Sequence, residues 1–290
     1  MNRFTLLSVT AIAMIFSSLL FADEKSDMLA KQKAAADENW KKMEFGKSAS
    51  TAETPNFLIY SRLPEAKTKA LGAALDKLFL TAAKALKYTD KERPWPGKLV
   101  VYVVPDRNDF VSFMRKIVKK SPSEDDVSFS EVRGDDAMLV VGAPKVDQVE
   151  PEEQAKSELA TLLLKRKMAA GEPPAWVAIG FANASIHRAA TKSRVPVRPP
   201  AGVPLNYLWI DGANPKVLSN YATYVVDYLA YGPMADSFDT FVGALRPGEN
   251  GMAPAMKEVL ESIKMNEMTL EYCARRWMKP PTPKKSKPGK

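Results

Sequence analysis

The run KLVVYVV, from Lys98 to Val104, constrains this chain more than any other feature. An unbroken β-branched and aromatic stretch reads as a strand covered on both faces, so layers must form above and below it. The flanking sequence supplies them. NFLIYSR, from Asn56 to Arg62, is a further strand, rich in Ile, Tyr and Phe. It leads into a helix opened by Pro64 and Glu65, with Leu71, Leu75, Leu78, Phe79, Ala82 and Leu86 at helical spacing. After the central strand, Asp106 can cap a helix whose inner positions are Phe110, Phe113, Met114, Ile117 and Val118. Lys116, Lys119 and Lys120 suit its C-terminus, and Ser121-Pro122 stops it.

SPSEDDVSFSEVRGDDAMLVVGAP then reads as an acidic loop, a short strand and a second apolar strand from Met138 to Val141. Its acids lack EF-hand spacing, so the loop is a solvated one rather than a calcium site. Beyond Pro144 the pattern turns wholly helical. Helices are predicted from Pro151 to Ala170, Pro173 to Ala190, Lys216 to Tyr231, Pro233 to Leu245, Met252 to Ile263 and Glu267 to Met278. Gly171 and Gly232 fall where C-terminal caps belong, and RVPVRPPAGVP is a proline-rich loop. Strands and helices first, then helices alone, define an α+β fold: a small mixed sheet followed by an all-helical half. The expected division is 55–145 for the α/β part and 146–278 for the helical part.

Both ends read differently from this body. Residues 1–22 carry Arg3, an uncharged apolar run from Phe4 to Phe21 and then Ala22, the pattern of a secretory signal peptide cut after Ala22. The alternative is an uncleaved N-terminal anchor, since the run approaches the roughly 18 to 20 residues that cross a bilayer. A secreted or periplasmic location follows, with no transmembrane segment after cleavage. Residues 23–54 are expected to form a loosely attached Lys- and Ala-rich helix ending in the linker GKSASTAET. The tail 279–290 holds five Lys, no acid and four of the 22 Pro, which reads as disordered. The net charge of +8 therefore belongs to the ends. Losing Arg3 leaves +7, and losing the five tail lysines leaves +2 for residues 23–278.

Composition also excludes chemistries. A single Cys forbids an intrachain disulfide, a thiolate cage and a CxxC redox pair. A single His forbids any zinc site built on two or three imidazoles, and leaves His187 as the one imidazole for a triad. Cys273 shares helical spacing with Leu270 and Trp277 and reads as a small buried hydrophobe. Val217, Tyr221, Tyr224, Val225 and Tyr228 read as packing. No basic residues interleave them, so no specific nucleic-acid surface is expected.

Three stretches resemble the peptidase-MA-like gluzincin family. Residues 56–104 are similar to its opening strand, helix and strand; KSELATLLLKRKMAAGEPPAWVAIGFANA, from Lys156, is similar to its catalytic pair of helices; residues 220–277 are similar to its closing helices. In active relatives the first helix of the pair carries H-E-x-x-H and the second a pattern close to P-x-W-L-x-E-G. Two His on one helix face and a Glu from the next bind zinc, and the Glu beside the first His is the general base. Here Ser157 and Thr161 match the two His, Ile179 matches the third ligand, and Glu158 alone keeps its type. His187 lies eight residues beyond Ile179, off that face by about 80°.

The resemblance thus implies a zincin-like pseudopeptidase with no catalytic residues, no metal and no cofactor. The expected role is binding or scaffolding in the cell envelope, with the former substrate cleft holding a peptide or protein segment without cutting it, or filled in. Two alternatives stay open. One is a hydrolase acting through other residues, such as Ser157 assisted by Glu158 or His187, or through a metal bound elsewhere. The other is an envelope tether whose Lys-rich tail binds an anionic polymer. The identity of any partner is not legible in the sequence.

Overall fold

The computed structural model describes residues 26–45, 48–89, 91–104, 106–142, 150–169, 171–196, 202–210, 214–248 and 250–277. The expected signal segment 1–22 and the basic tail 279–290 lie outside these residues, as does the centre of the proline-rich loop. The chain has an α+β architecture and divides into two units. One comprises Met1–Asp76 and Trp95–Ala155, the other Lys77–Pro94 and Lys156–Lys290. This partition differs from a cut at residue 145, because the stretch from 77 to 94 goes with the helical unit.

In the first unit, helix α1 (26–42) precedes strands β1 (Ser50–Glu53) and β2 (Phe57–Ser61), and helix α2 begins at Glu65 and runs to Ala85. Strand β3 (Leu99–Val103), helix α3 (Arg107–Phe113), a π-helical extension (Met114–Val118), and strands β4 (Ser128–Arg133) and β5 (Asp136–Val141) follow. The sheet order is β1-β2-β3-β5-β4. β3 is central and parallel to both β2 and β5, while β1 and β4 pair antiparallel at the edges. All five residues of β3 are buried, as a doubly covered strand requires. On one face Leu58, Tyr60, Val100, Tyr102 and Val140 pack with Phe110, Phe113 and Met114. On the other, α2 comes so close that a Cβ on Gly72 would lie 3.2 Å from Ile59 Cδ1 and 2.9 Å from Thr54 Cγ2.

Two expectations for this unit are corrected. Helix α1 is not loosely attached: Ala36, Trp40 and Met43 are buried in the sheet core. Its polar residues are also tied down. Gln32 donates to the carbonyls of Pro96 and Asp135 and accepts from Lys98 N at 3.1 Å, and Asp37 accepts from the Tyr60 hydroxyl at 2.9 Å. The expected linker contains β1, whose residues alternate between half-buried and exposed beside β2, with Ser50 opposite Ser61. Asp106 caps α3 as expected, its carboxylate accepting from Asp109 N at 2.9 Å. Its π-helical extension ends at Lys119, within the turn expected to carry Lys116, Lys119 and Lys120, and Lys119 adopts the left-handed conformation with φ 63°.

The second unit contains most of helix α4 (Pro151–Met168), then α5 (Ala175–Thr191), a 3-10 turn (Leu205–Trp209), α6 (Pro215–Tyr231), α7 (Phe238–Ala244) after a short 3-10 turn, α8 (Met256–Ser262) and α9 (Glu267–Trp277). The segment 77–94 belongs here through specific bonds. Tyr88 donates to Leu163 O at 3.0 Å, Arg166 donates to Pro94 O at 2.9 Å, and Lys167 pairs with Glu92 at 2.8 Å. α5 and α6 pack most closely. A Cβ on Gly180 would lie 2.5 Å from Ala222 O, so only glycine permits that approach. Every residue of α6 from Tyr221 to Ala230 is buried. Gly232 caps α6 as expected, in an extended conformation.

Candidate functional site

Ser157, Glu158 and Thr161 occupy the middle of α4, and all three are half-buried. Ser157 and Thr161 are one turn apart and so share a helix face. Glu158 is engaged in an interaction of its own. Ile179 is half-buried on α5, between Trp176 and Gly180. The ring contacts of Trp176 show what that stretch of α5 packs against: Trp209 at 5.9 Å and Phe241 at 6.1 Å between centroids. Trp176 is 2% exposed, a core residue.

The chemistry of these positions does not fit zinc. Ser157 and Thr161 offer neutral hydroxyls, poor ligands beside imidazole or thiolate, and Ile179 offers no donor atom. Among the described residues no group of three or more His, Cys, Asp and Glu is arranged to hold a metal ion. His187 sits near the C-terminus of α5, where its Nε2 lies 3.0 Å from Arg194 O and 3.1 Å from Thr191 Oγ1. That imidazole is a local clasp on the helix end. Cys273 is half-buried rather than buried, and its thiol adjoins the Tyr228 hydroxyl.

The strongest polar constellation of the helical unit lies at the other end of the α5–α6 contact. Asp227 is fully buried and accepts two bonds from Arg188, Nε to Oδ1 at 2.6 Å and a terminal nitrogen to Oδ2 at 2.9 Å. Burial lifts the Asp227 carboxyl above its ordinary range, against the opposing pull of Arg188 and a bond from the Val195 backbone. The Arg188 guanidinium lies 5.6 Å from the Tyr231 ring centre and 5.8 Å from that of Trp277. The Tyr231 hydroxyl meets Ser185 Oγ at 2.6 Å. Sequence reading passed over this cluster, yet a signal was present. Asp227 is the lone charge in YATYVVDYLAY, an otherwise uncharged run, and such an acid needs a buried cation.

Around the same helix ends is a cleft of about 510 Å³, lined by residues near the C-termini of α2, α5 and α6, including Leu80, Lys84, Arg188, Lys192 and Tyr231. Compared with models of known protein families and with curated proteins, the chain matches none of them. Among the described residues no helix is long and apolar enough to cross a membrane.

Proposed function

We propose that this chain is a non-catalytic binding protein on a zincin-like α+β scaffold, secreted or periplasmic by virtue of residues 1–22. One observation carries the reading. At the three positions where the gluzincin resemblance calls for His, His and Glu stand Ser157, Thr161 and Ile179, and no cluster of alternative ligands occurs among the described residues. Glu158 without an acidified metal-bound water has nothing to deprotonate, so its retention serves structure. The half-buried α4 and α5 positions support a scaffold in which the former substrate cleft holds a peptide or protein segment intact. A panel of peptide and ester substrates tests this on the full chain beside the Glu158→Gln variant. Background turnover equal in both proteins is the expected result. Turnover above background that disappears in Glu158→Gln overturns the reading and establishes a hydrolase.

A further inference from the structure

We propose that the cleft at the C-terminal ends of α2, α5 and α6 binds a small amphiphilic monoanion, a carboxylate on a short apolar body, held by Lys84 and Lys192. The inference requires nothing of the zincin resemblance, since all the lining residues belong to a different part of the helical unit from Ser157, Glu158, Thr161 and Ile179.

The volume of about 510 Å³ falls within the roughly 300–1,000 Å³ of small-molecule sites. Four cations line it, Lys84, Lys87, Arg188 and Lys192, beside one acid, Asp236. Two of the cations are already neutralised: Arg188 by Asp227, and Lys87 by Asp239 at 2.8 Å. Lys84 and Lys192 have no ion-pair or hydrogen-bonding partner for their ammonium groups among the described residues. Against them stands the Asp236 carboxylate at the rim, which leaves one uncompensated positive charge and sets the ligand's charge at −1. Lysine at a helix C-terminus is ordinary, because it offsets the partial negative charge there. The specific feature is convergence on one cleft. The end carbonyls are also partly occupied by the chain's own N–H groups: Leu86 N bonds Ala82 O, Tyr88 N bonds Ala83 O, and Lys192 N bonds Arg188 O. The full charges on the side chains therefore dominate the local potential.

The remaining walls are apolar. Leu80 stands at the cleft 65% exposed, and the Tyr231 ring and three alanines complete the wall. Lys192 also holds a left-handed backbone, φ 59°, where glycine or asparagine would be less strained.

Isothermal titration of the full chain with octanoate and with 1-octanol tests the proposal. Octanoate is expected to bind saturably, at least about tenfold more tightly than octanol, a ratio that one charge-assisted hydrogen bond supplies. Lys84→Gln/Lys192→Gln is expected to weaken octanoate by about tenfold or more and leave octanol unchanged, and Leu80→Asp to weaken both. All three positions are exposed, so the variants retain the fold. Absence of saturable octanoate binding, equal affinity for the two probes, or an octanoate affinity unmoved by the double lysine variant overturns the proposal. None of those failures touches the loss of zinc ligands on which the pseudopeptidase reading rests.

Discussion

At the scale of single residues, the balance of forces is most exposed at Asp227. A fully buried carboxylate costs several kcal/mol to desolvate, and the two bonds from Arg188 are the chief interactions that make its charge tolerable. Removing the cation while leaving the acid strands that charge. Arg188→Ala is therefore expected to destabilise the protein by about 3–5 kcal/mol, whereas Arg188→Met/Asp227→Leu recovers most of the loss. Chemical denaturation of the three proteins checks this. A double variant no more stable than the single one would show that the pair contributes more than mutual neutralisation. Individual residues were legible in the sequence where chemistry is local. The Asp106 cap was readable because its partner, Asp109 N, is three residues away. Arg188 and Asp227 are 39 residues apart, and nothing but folding brings them together.

At the scale of elements, strands and long helices followed from periodicity and composition, and the misreadings occur where these signals are weak. Helix α1 was predicted as a helix, but its attachment was not, since Lys and Ala dominate and its buried apolar positions are few, Ala36, Trp40 and the adjoining Met43. Those positions matter energetically. Trp40 is 6% exposed, with Phe45 at 4.7 Å and Tyr60 at 6.3 Å between ring centres. Trp40→Ala is expected to cost about 3–5 kcal/mol, read as a lowered denaturation midpoint. A helix that merely hung from the body would tolerate the change within about 0.5 kcal/mol. β1 escaped notice because Ser-Thr-Ala-Glu at a sheet edge carries no hydrophobic alternation, and register with β2 is what makes it a strand.

At the scale of the whole molecule, the order of elements determined the α+β class, and the two lone residues, His187 and Cys273, determined which chemistries were closed. The cleft was not legible, because its lining comes from three helix ends far apart in sequence. Tyrosine burial gives the molecule a pH limit. Burial is the chief cause holding seven of the nine tyrosines above the ordinary phenol range, with Tyr102, Tyr221 and Tyr228 raised to about 12. In the unfolded chain these phenols ionise near pH 10. Above that pH the unfolded state binds fewer protons than the native one, so stability is full below about pH 10 and falls as pH rises toward 12. Titration followed by phenolate absorbance should show these tyrosines ionising together with loss of near-ultraviolet circular dichroism. Ionisation of most of them near pH 10 with the fold intact would contradict their burial.

The central proposal, a zincin-like scaffold without zinc chemistry, is tested most directly by metal analysis of the full chain purified in the presence of zinc and dialysed. The account predicts no stoichiometric zinc, because Ser157, Thr161 and Ile179 cannot replace two imidazoles and a carboxylate. One tightly held equivalent, retained through dialysis, would contradict it.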